Sequence, residues 1–394
     1  MNLDQNLSIP APPLALYLHF PWCVKKCPYC DFNSHSQKGE LPEEAYITAL
    51  KQDLQAALVR DASLARREIG SIFMGGGTPS LFSPESLHAL LDCIRAQICM
   101  AADVEITLEA NPGTLGEELA EKKLAAFAAA GINRLSLGIQ SFNAASLTAL
   151  GRIHDGDDAR RAVHLAARHF ASLNLDLMYA LPGQTLDSAL EDLEIALQSG
   201  ATHLSCYQLG IEPNTLFAVK PPPDLPDPDH AADMQEAIEA RLFAAGFGHY
   251  EISAFARPGF ACRHNLNYWQ FGDYLGLGAG AHSKLSTSEG IVRETRWRSP
   301  ETYMDKAGEG TAWETETFVS AAELPFEFLL NALRLVDGFS PRLFRERTGL
   351  PLATIMPLLT DAEADGLLEL SAEAILPTRA GRHFQNRLLE RFLP

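Results

Sequence analysis

Six short apolar runs, each followed by a longer amphipathic stretch, fill the first 210 residues and leave the chain few ways to fold. The runs are Leu14–Phe20, Ser71–Gly75, Val104–Ala110, Arg134–Ile139, Leu173–Tyr179 and His203–Leu209, and most stop at Gly, Pro or Asn. Helix signals stand between them. Pro42–Arg60 opens with Pro and two Glu, and Ser83-Pro84-Glu85 opens a helix to Ile98. Leu115–Ala130 stops at Gly131, and Asp155–Phe170 and Leu186–Ser199 follow. Strand starts fall roughly 30 to 57 residues apart, which is room for a strand, a helix and the return, so the sheet is predicted parallel. The predicted fold class is α/β, an open partial (βα)6 barrel, because six units are too few for a closed barrel of eight. In such barrels chemistry gathers at the C-terminal ends of the strands. That places Gly76, Glu109 and Gln140 around one mouth.

The rest of the chain divides by composition. Lys220-Pro-Pro-Pro-Asp-Leu-Pro-Asp-Pro-Asp229 cannot be helix or strand interior. Helix Ala231–Ala245 follows, and 247–298 reads as sheet with loops. Short helices come next at Pro325–Val336, Pro341–Thr348 and Ala353–Asp365, then a hairpin at Leu367–Leu376 and a last helix at Arg379–Phe392. The predicted domains are therefore 1–215, a barrel core; 216–299, its extension; and 300–394, a mostly helical, winged-helix-like module. A nucleic-acid role is disfavoured, because the module holds more Asp and Glu than Lys and Arg and the chain's net charge is −18. The same charge argues against docking on an anionic membrane surface. No run approaches the length of a membrane span, and Met1–Pro10 lacks the basic and apolar regions of a secretory signal. The chain reads as cytoplasmic and not as an integral membrane protein.

In a reducing compartment, clustered cysteines indicate metal and not disulfides. Of seven cysteines, Cys23, Cys27 and Cys30 crowd together in Pro21-Trp-Cys-Val-Lys-Lys-Cys-Pro-Tyr-Cys-Asp-Phe32, directly after the first strand. The spacing is C-x3-C-x2-C. Three thiolates can hold three irons of a [4Fe–4S] cluster and leave the fourth open to a ligand. The competing reading is a Cys3His zinc site completed by His19 or His35, although zinc knuckles do not usually use this spacing.

Other candidates close the later strands. Gly75-Gly76-Gly77-Thr78 lets backbone approach a ligand, or is simply a tight turn. Glu109 could accept hydrogen bonds from a diol, or its loop could cap a helix. Gln140 offers an amide and Arg152 a planar fork for a carboxylate. Asp176 is an acid inside an apolar strand, which calls for a function or for an ion pair with Arg134 or Arg152. Tyr207-Gln208 closes the sixth strand.

At the cysteine motif the chain resembles the radical S-adenosylmethionine (SAM) superfamily. The resemblance implies a partial (βα)6 barrel and a [4Fe–4S] cluster whose fourth iron is chelated by SAM. Tyr29, before the last cysteine, is typical of that superfamily. The likeness extends from about residue 11 to the C-terminus in the HemN branch, the oxygen-independent coproporphyrinogen III oxidases and their relatives. There the residues matching Tyr17, Gly76, Gly77, Thr78, Glu109, Gln140, Arg152 and Asp176 line the SAM mouth, and Gln208 closes the last strand. Gly276-Leu-Gly-Ala-Gly280, with Ala281 and His282, lies near the same end; as a dinucleotide loop it is weak, having no βαβ setting.

Two departures separate the chain from the oxidases. These carry a further Cys where Phe32 stands, and a longer segment before the cluster. One feature is added: Cys262-Arg-His264-Asn265-Leu-Asn-Tyr268-Trp269 contains H-N-x-x-Y-W. Together these features look like the HemW-type haem chaperones of the branch, which implies haem as cargo and respiratory haem proteins as acceptors. His264 is then a candidate axial ligand with Tyr268 and Trp269 beside the macrocycle, against the alternative that all three are core. Cys206, Cys262, His249 and His282 are rival ligands. A homodimer forming on haem binding is a further expectation. The alternative function is a radical SAM oxidoreductase acting on a porphyrinogen, and a third is a winged-helix regulator with a structural cluster.

Overall fold

The computed structural model describes residues 11–115 and 119–394. The reading of Met1–Pro10, and residues 116–118 of the helix read at Leu115–Ala130, lie outside them. Strands form where the apolar runs stand: β1 (Leu14–Phe20), β2 (Ile69–Gly76), β3 (Met100–Ala110), β4 (Arg134–Gln140), β5 (Ser172–Tyr179) and β6 (His203–Gln208). They are neighbours in chain order and all parallel. The connecting helices are α1 (Glu43–Arg60), α2 (Pro84–Gln97), α3 (Ala120–Ala129), α4 (Gly156–His169) and α5 (Leu186–Gln198). Several begin at side-chain caps. Ser83 accepts from the Ser86 N–H, and Asp155 and Thr185 each close a reciprocal capping box.

The strands are two-faced in a way their apolar content conceals. On β4, Leu135, Leu137 and Ile139 are fully buried in the main core. Arg134, Ser136, Gly138 and Gln140 alternate with them and line a chamber on the other side of the sheet.

The sheet continues beyond the six units. After α6 (Pro228–Ala244) come β7 (Gly248–Glu251), β8 (Ala254–Ala256), α7 (Arg263–Trp269), β9 (Asp273–Leu277), β10 (His282–Thr287), β11 (Gly290–Arg296), α8 (Pro300–Gly308) and β12 (Trp313–Phe318). Among the described residues one sheet of 12 strands runs β12-β11-β10-β9-β1-β2-β3-β4-β5-β6-β8-β7. The sequence reading ends the parallel array at six. The structure adds a seventh member, because β9 pairs in parallel with β1 from Leu14–Asp273 to Leu18–Leu277. Asp273 anchors it: its N–H donates to Pro13 O at 2.9 Å, and its buried carboxylate takes Arg67 at 2.8 Å and Lys284 at 3.0 Å. Burial pushes the Lys284 ammonium down to about 8 even with Asp273 beside it.

The last core is separate. α9 (Leu324–Ala332), α10 (Pro341–Thr348), α11 (Met356–Ala364) and the antiparallel pair Leu368–Leu370 and Ile375–Pro377 surround Phe328. Its ring meets Phe271, Phe339 and Phe344 edge-on at 5.0 to 5.6 Å. The single last helix expected at Arg379–Phe392 is corrected to Arg379–His383, Gln385–Leu389 and a 3-10 turn at Glu390–Phe392. Phe384 leaves helical geometry with ψ 39° and breaks it. No helix among the described residues is long and apolar enough to cross a membrane.

Candidate functional site

The three clustered cysteines sit on a loop fastened at both ends. Trp22–Cys23 pairs in parallel with His35–Ser36, and the Gln37 N–H donates to Cys23 O at 2.8 Å. Asn33 donates to the carbonyls of Ala279 and Arg298 at 2.9 and 3.0 Å, which ties the loop to the Gly276–Gly280 turn. All three thiols are half-buried and line one chamber of about 530 Å³. Each has a polar neighbour: Thr78 Oγ1 donates to Cys23 Sγ at 3.5 Å, Arg152 Nη1 lies 3.4 Å from Cys27 Sγ, and Ser34 Oγ lies 3.7 Å from Cys30 Sγ. Burial raises the Cys23 thiol pKa and the Thr78 hydrogen bond opposes it.

The zinc alternative loses one of its two candidate partners here. Both His19 nitrogens are engaged, with Tyr17 Oη at 3.0 Å and Asn33 O at 2.8 Å. Burial holds its pKa down at about 4. Among the described residues no three His, Cys, Asp or Glu side chains converge on a single ion. A cluster of several irons, with one thiolate per iron, does not need that convergence.

The glycine turn has a steric reason. A Cβ on Gly76 would lie 2.4 Å from the His19 ring, and one on Gly77 would lie 2.5 Å from Trp22 O. Gly76 also has φ +107°, a conformation L side chains rarely adopt. The N–H groups of Gly77 and Thr78 donate to Phe20 O and Trp22 O, and that of Gly76 to Glu109 Oε2 at 3.1 Å. What this turn can offer a ligand is therefore carbonyl oxygen, which suits an ammonium group.

Glu109 and Asp176 face the chamber from β3 and β5. Burial, and then the Asp176 charge, push Glu109 up to about 8. Burial also raises Asp176, against hydrogen bonds from Asn174 at 2.7 Å and Ser136 at 3.3 Å. A carboxylate whose pKa is raised from 4.5 on folding supports the fold fully below 4.5 and weakens it as pH climbs to about 8. Glu109→Gln is therefore expected to unfold later than wild type at pH 8 by about 2 kcal/mol, less than the shift alone implies because the chamber admits water, and to match it near pH 4. Urea melts across that range check this, and parallel curves would refute it.

Gln140 and Arg152 complete the upper wall. Gln140 adopts φ 67°, unusual for a residue with a side chain, and its buried Oε1 has no partner. Arg152 Nη2 donates to Gly138 O at 2.7 Å, and its Nε is buried without one. Burial works against the Arg152 charge, but Tyr29 and Cys27 outweigh it and raise its pKa. Tyr29 and Gln208 also line the chamber, and Tyr29 packs on Phe217 at 6.3 Å.

Three candidates stand elsewhere. Tyr17 is behind the wall, stacked on Phe73 at 6.4 Å, and His282 is exposed outside the lining. His264 is the most enclosed of the three. It is 1% exposed, with Nδ1 3.0 Å from Ser71 Oγ and Nε2 3.0 Å from Tyr268 Oη. Its ring stacks on Phe73, and burial lowers its pKa to about 3. In this arrangement neither nitrogen is free for an iron. The H-N-x-x-Y-W segment is a helix, α7, where the sequence reading expects sheet and loops, and it turns Asn265 to the chamber instead of His264. Trp269 lies under the Arg334 guanidinium at 4.4 Å.

The sequence reading passed over much of the lower lining: Arg134 as a chamber residue, Ser136, Asn174, Ser205 and Asn265. A signal for most of them was present. Arg134, Ser136 and Gln140, then Asn174 and Asp176, then Ser205 and Tyr207, alternate with apolar neighbours at the period of a strand.

Comparison with known proteins agrees with this architecture. The radical SAM superfamily model matches residues 17–196, and the HemN C-terminal domain model matches 319–384. The chain is 48% identical to the heme chaperone HemW of Escherichia coli strain K12, covering 97% of this chain and 98% of that one. It is 47% identical to the heme chaperone HemW of Haemophilus influenzae, over 97% and 98%. It is 41% identical to the mouse radical S-adenosyl methionine domain-containing protein 1, mitochondrial, over 75% and 68%. Among solved structures, the Escherichia coli coproporphyrinogen III oxidase HemN superposes with a TM-score of 0.80 at 24% identity, covering 98% and 92%. At that identity the likeness shows the fold.

Proposed function

The chain belongs to the HemW family of heme chaperones, within the radical SAM superfamily, and from that premise we propose that it binds haem and hands it to respiratory haem proteins while carrying a [4Fe–4S] cluster with SAM at its open iron. Cys23, Cys27 and Cys30 would hold the cluster. Their thiols face one chamber from one fastened loop, and an arginine, a threonine and a serine stand beside them to temper thiolate charge. The chamber's upper wall fits SAM. Turn carbonyls suit its ammonium, Glu109 and Asp176 suit a diol or a cation, and the orphaned Gln140 Oε1 needs a donor. Bound there, cluster and SAM would supply one-electron chemistry.

The observation that carries a chaperone over a porphyrinogen oxidase is Phe32. It stands at the chamber mouth, 59% exposed, where the oxidases carry a further cysteine. An exposed phenyl ring beside Val24, 48% exposed, offers apolar surface to a cargo. The reading also places the chain in the cytoplasm, with a homodimer as one outcome of haem loading.

Haemin titration of the reconstituted protein is expected to give a saturable Soret shift. A featureless titration overturns the reading. His264→Ala is expected to keep that shift and to lose stability, since its ring bridges Ser71 and Tyr268 in the core. A variant that folds but no longer shifts the Soret band would return His264 to the role of ligand.

A further inference from the structure

We propose that the floor of the chamber is a second binding site, in which the guanidinium of Arg134 takes the carboxylate of a small, partly apolar molecule. Arg134 opens β4, so it lies at the N-terminal end of the barrel, away from the cysteine loop. Gln140 closes the same strand roughly 20 Å further along. The chamber reaches both.

Arg134 is 2% exposed, and among the described residues no carboxylate oxygen lies within 4.0 Å of it and no acceptor completes a hydrogen bond with it. Its Nε is fully buried without a partner. The nearest acids are already engaged. Asp176 accepts from Asn174 and Ser136, and Glu105 takes the Cys262 thiol at 3.5 Å and the His264 N–H at 3.3 Å. An arginine cannot shed its proton, so this cation stays charged and lacks a direct partner. Burial works against its charge, but Cys262, Glu105, Tyr250 and Asp176 outweigh burial from a distance. What the planar fork lacks is a hydrogen-bond acceptor, and a ligand carboxylate would supply one.

The surroundings fit a planar oxyanion on a small body. Ser136, Asn174, Ser205 and Asn265 line the same floor, with Phe73 as its apolar face. Two histidines near it stay neutral, His264 and His203, because burial and then Arg134 itself disfavour their protonation. Arg134 is thus the cation of the floor among the described residues lining it. Glu109 and Asp176 stand just beyond it, level with Ser136 and Ser205, and suit a cation or a diol.

The proposal does not depend on haem binding, and its test is read without haem, so either reading can fail alone. The full chain, free of cluster, is titrated with sodium propionate against sodium chloride at constant ionic strength, followed by ligand-observed NMR and by thermal melting. Wild type is expected to show saturable binding and a rise in melting temperature. Arg134→Met is expected to weaken binding at least tenfold, and Arg134→Lys at least threefold because the planar fork is lost. Arg342→Met, at an exposed helix position, serves as the control and should bind as wild type does. Equal binding by wild type and Arg134→Met, or none by wild type, overturns the proposal. So does a large fall in the melting temperature of Arg134→Met without anion, which would make Arg134 a structural counter-ion. Haemin titration of the same variant then separates two sources of the carboxylate. Unchanged haemin affinity assigns the floor to a free small molecule, and a matching loss assigns it to a haem propionate.

Discussion

Serine at any one of Cys23, Cys27 or Cys30 is expected to abolish assembly of a stable [4Fe–4S] cluster and, with it, tight SAM binding. Three irons each need a thiolate, and a hydroxyl is a far poorer ligand for iron–sulfur chemistry. Two remaining thiolates would leave two irons open, a site that loses iron instead of presenting a single vacant position. The three should behave alike, because each thiol lines the chamber and none is held in reserve. The fold should survive, since the loop is held by Asn33 and by the Trp22–Cys23 pairing, not by the thiols. Anaerobic reconstitution followed by iron counting and visible absorbance checks this. Cys99→Ser, exposed and far from the motif in sequence, should reconstitute as wild type. Equal iron content in Cys30→Ser and wild type would refute the assignment.

Asp53→Ala is expected to destabilise the protein by about 3–5 kcal/mol, the scale for removing one partner of a buried ion pair. Asp53, on α1, is 0% exposed. It accepts Arg296 Nε at 3.1 Å on both oxygens and the Tyr303 hydroxyl at 3.0 Å. Arg296, 1% exposed on β11, also donates to Glu294 at 2.9 Å, and Arg60 of α1 pairs with Glu294. The network joins a helix of the first barrel unit to a strand and a helix from the later part of the chain. Alanine would leave the guanidinium half-compensated and the tyrosine hydroxyl unpaired. Asp53→Asn keeps the shape and part of the hydrogen bonding, so it should cost less. Urea unfolding midpoints measure both, and a loss under about 1 kcal/mol for Asp53→Ala would show that the pairs contribute little net stability.

Much of the fold was legible in the sequence because the parallel strands are buried on the helix-covered side and carry apolar residues at nearly every such position. Leu14–Phe20 was read to the residue, and the other five strands to within a few. The cysteine loop was legible because its spacing is local. The lower chamber was harder to see. Arg134, Asn174 and Ser205 are single polar residues within apolar runs, and only their period of two marks a shared face.

The sequence by itself determined the six parallel strands of the first 210 residues and their order, most of the helices between them, and the three-thiol loop at the end of the first strand. These follow from local patterns of two, of 3.6, and of fixed cysteine spacing. Tertiary structure alone decided that β9 docks beside β1 across more than half the chain, because a strand's pattern names its buried faces and not its neighbour. It alone decided that His264 is walled in by Ser71 and Tyr268 while Asn265 meets the chamber. A histidine's availability depends on what occupies its two nitrogens, and those partners lie 193 residues away in one case and one helical turn away in the other.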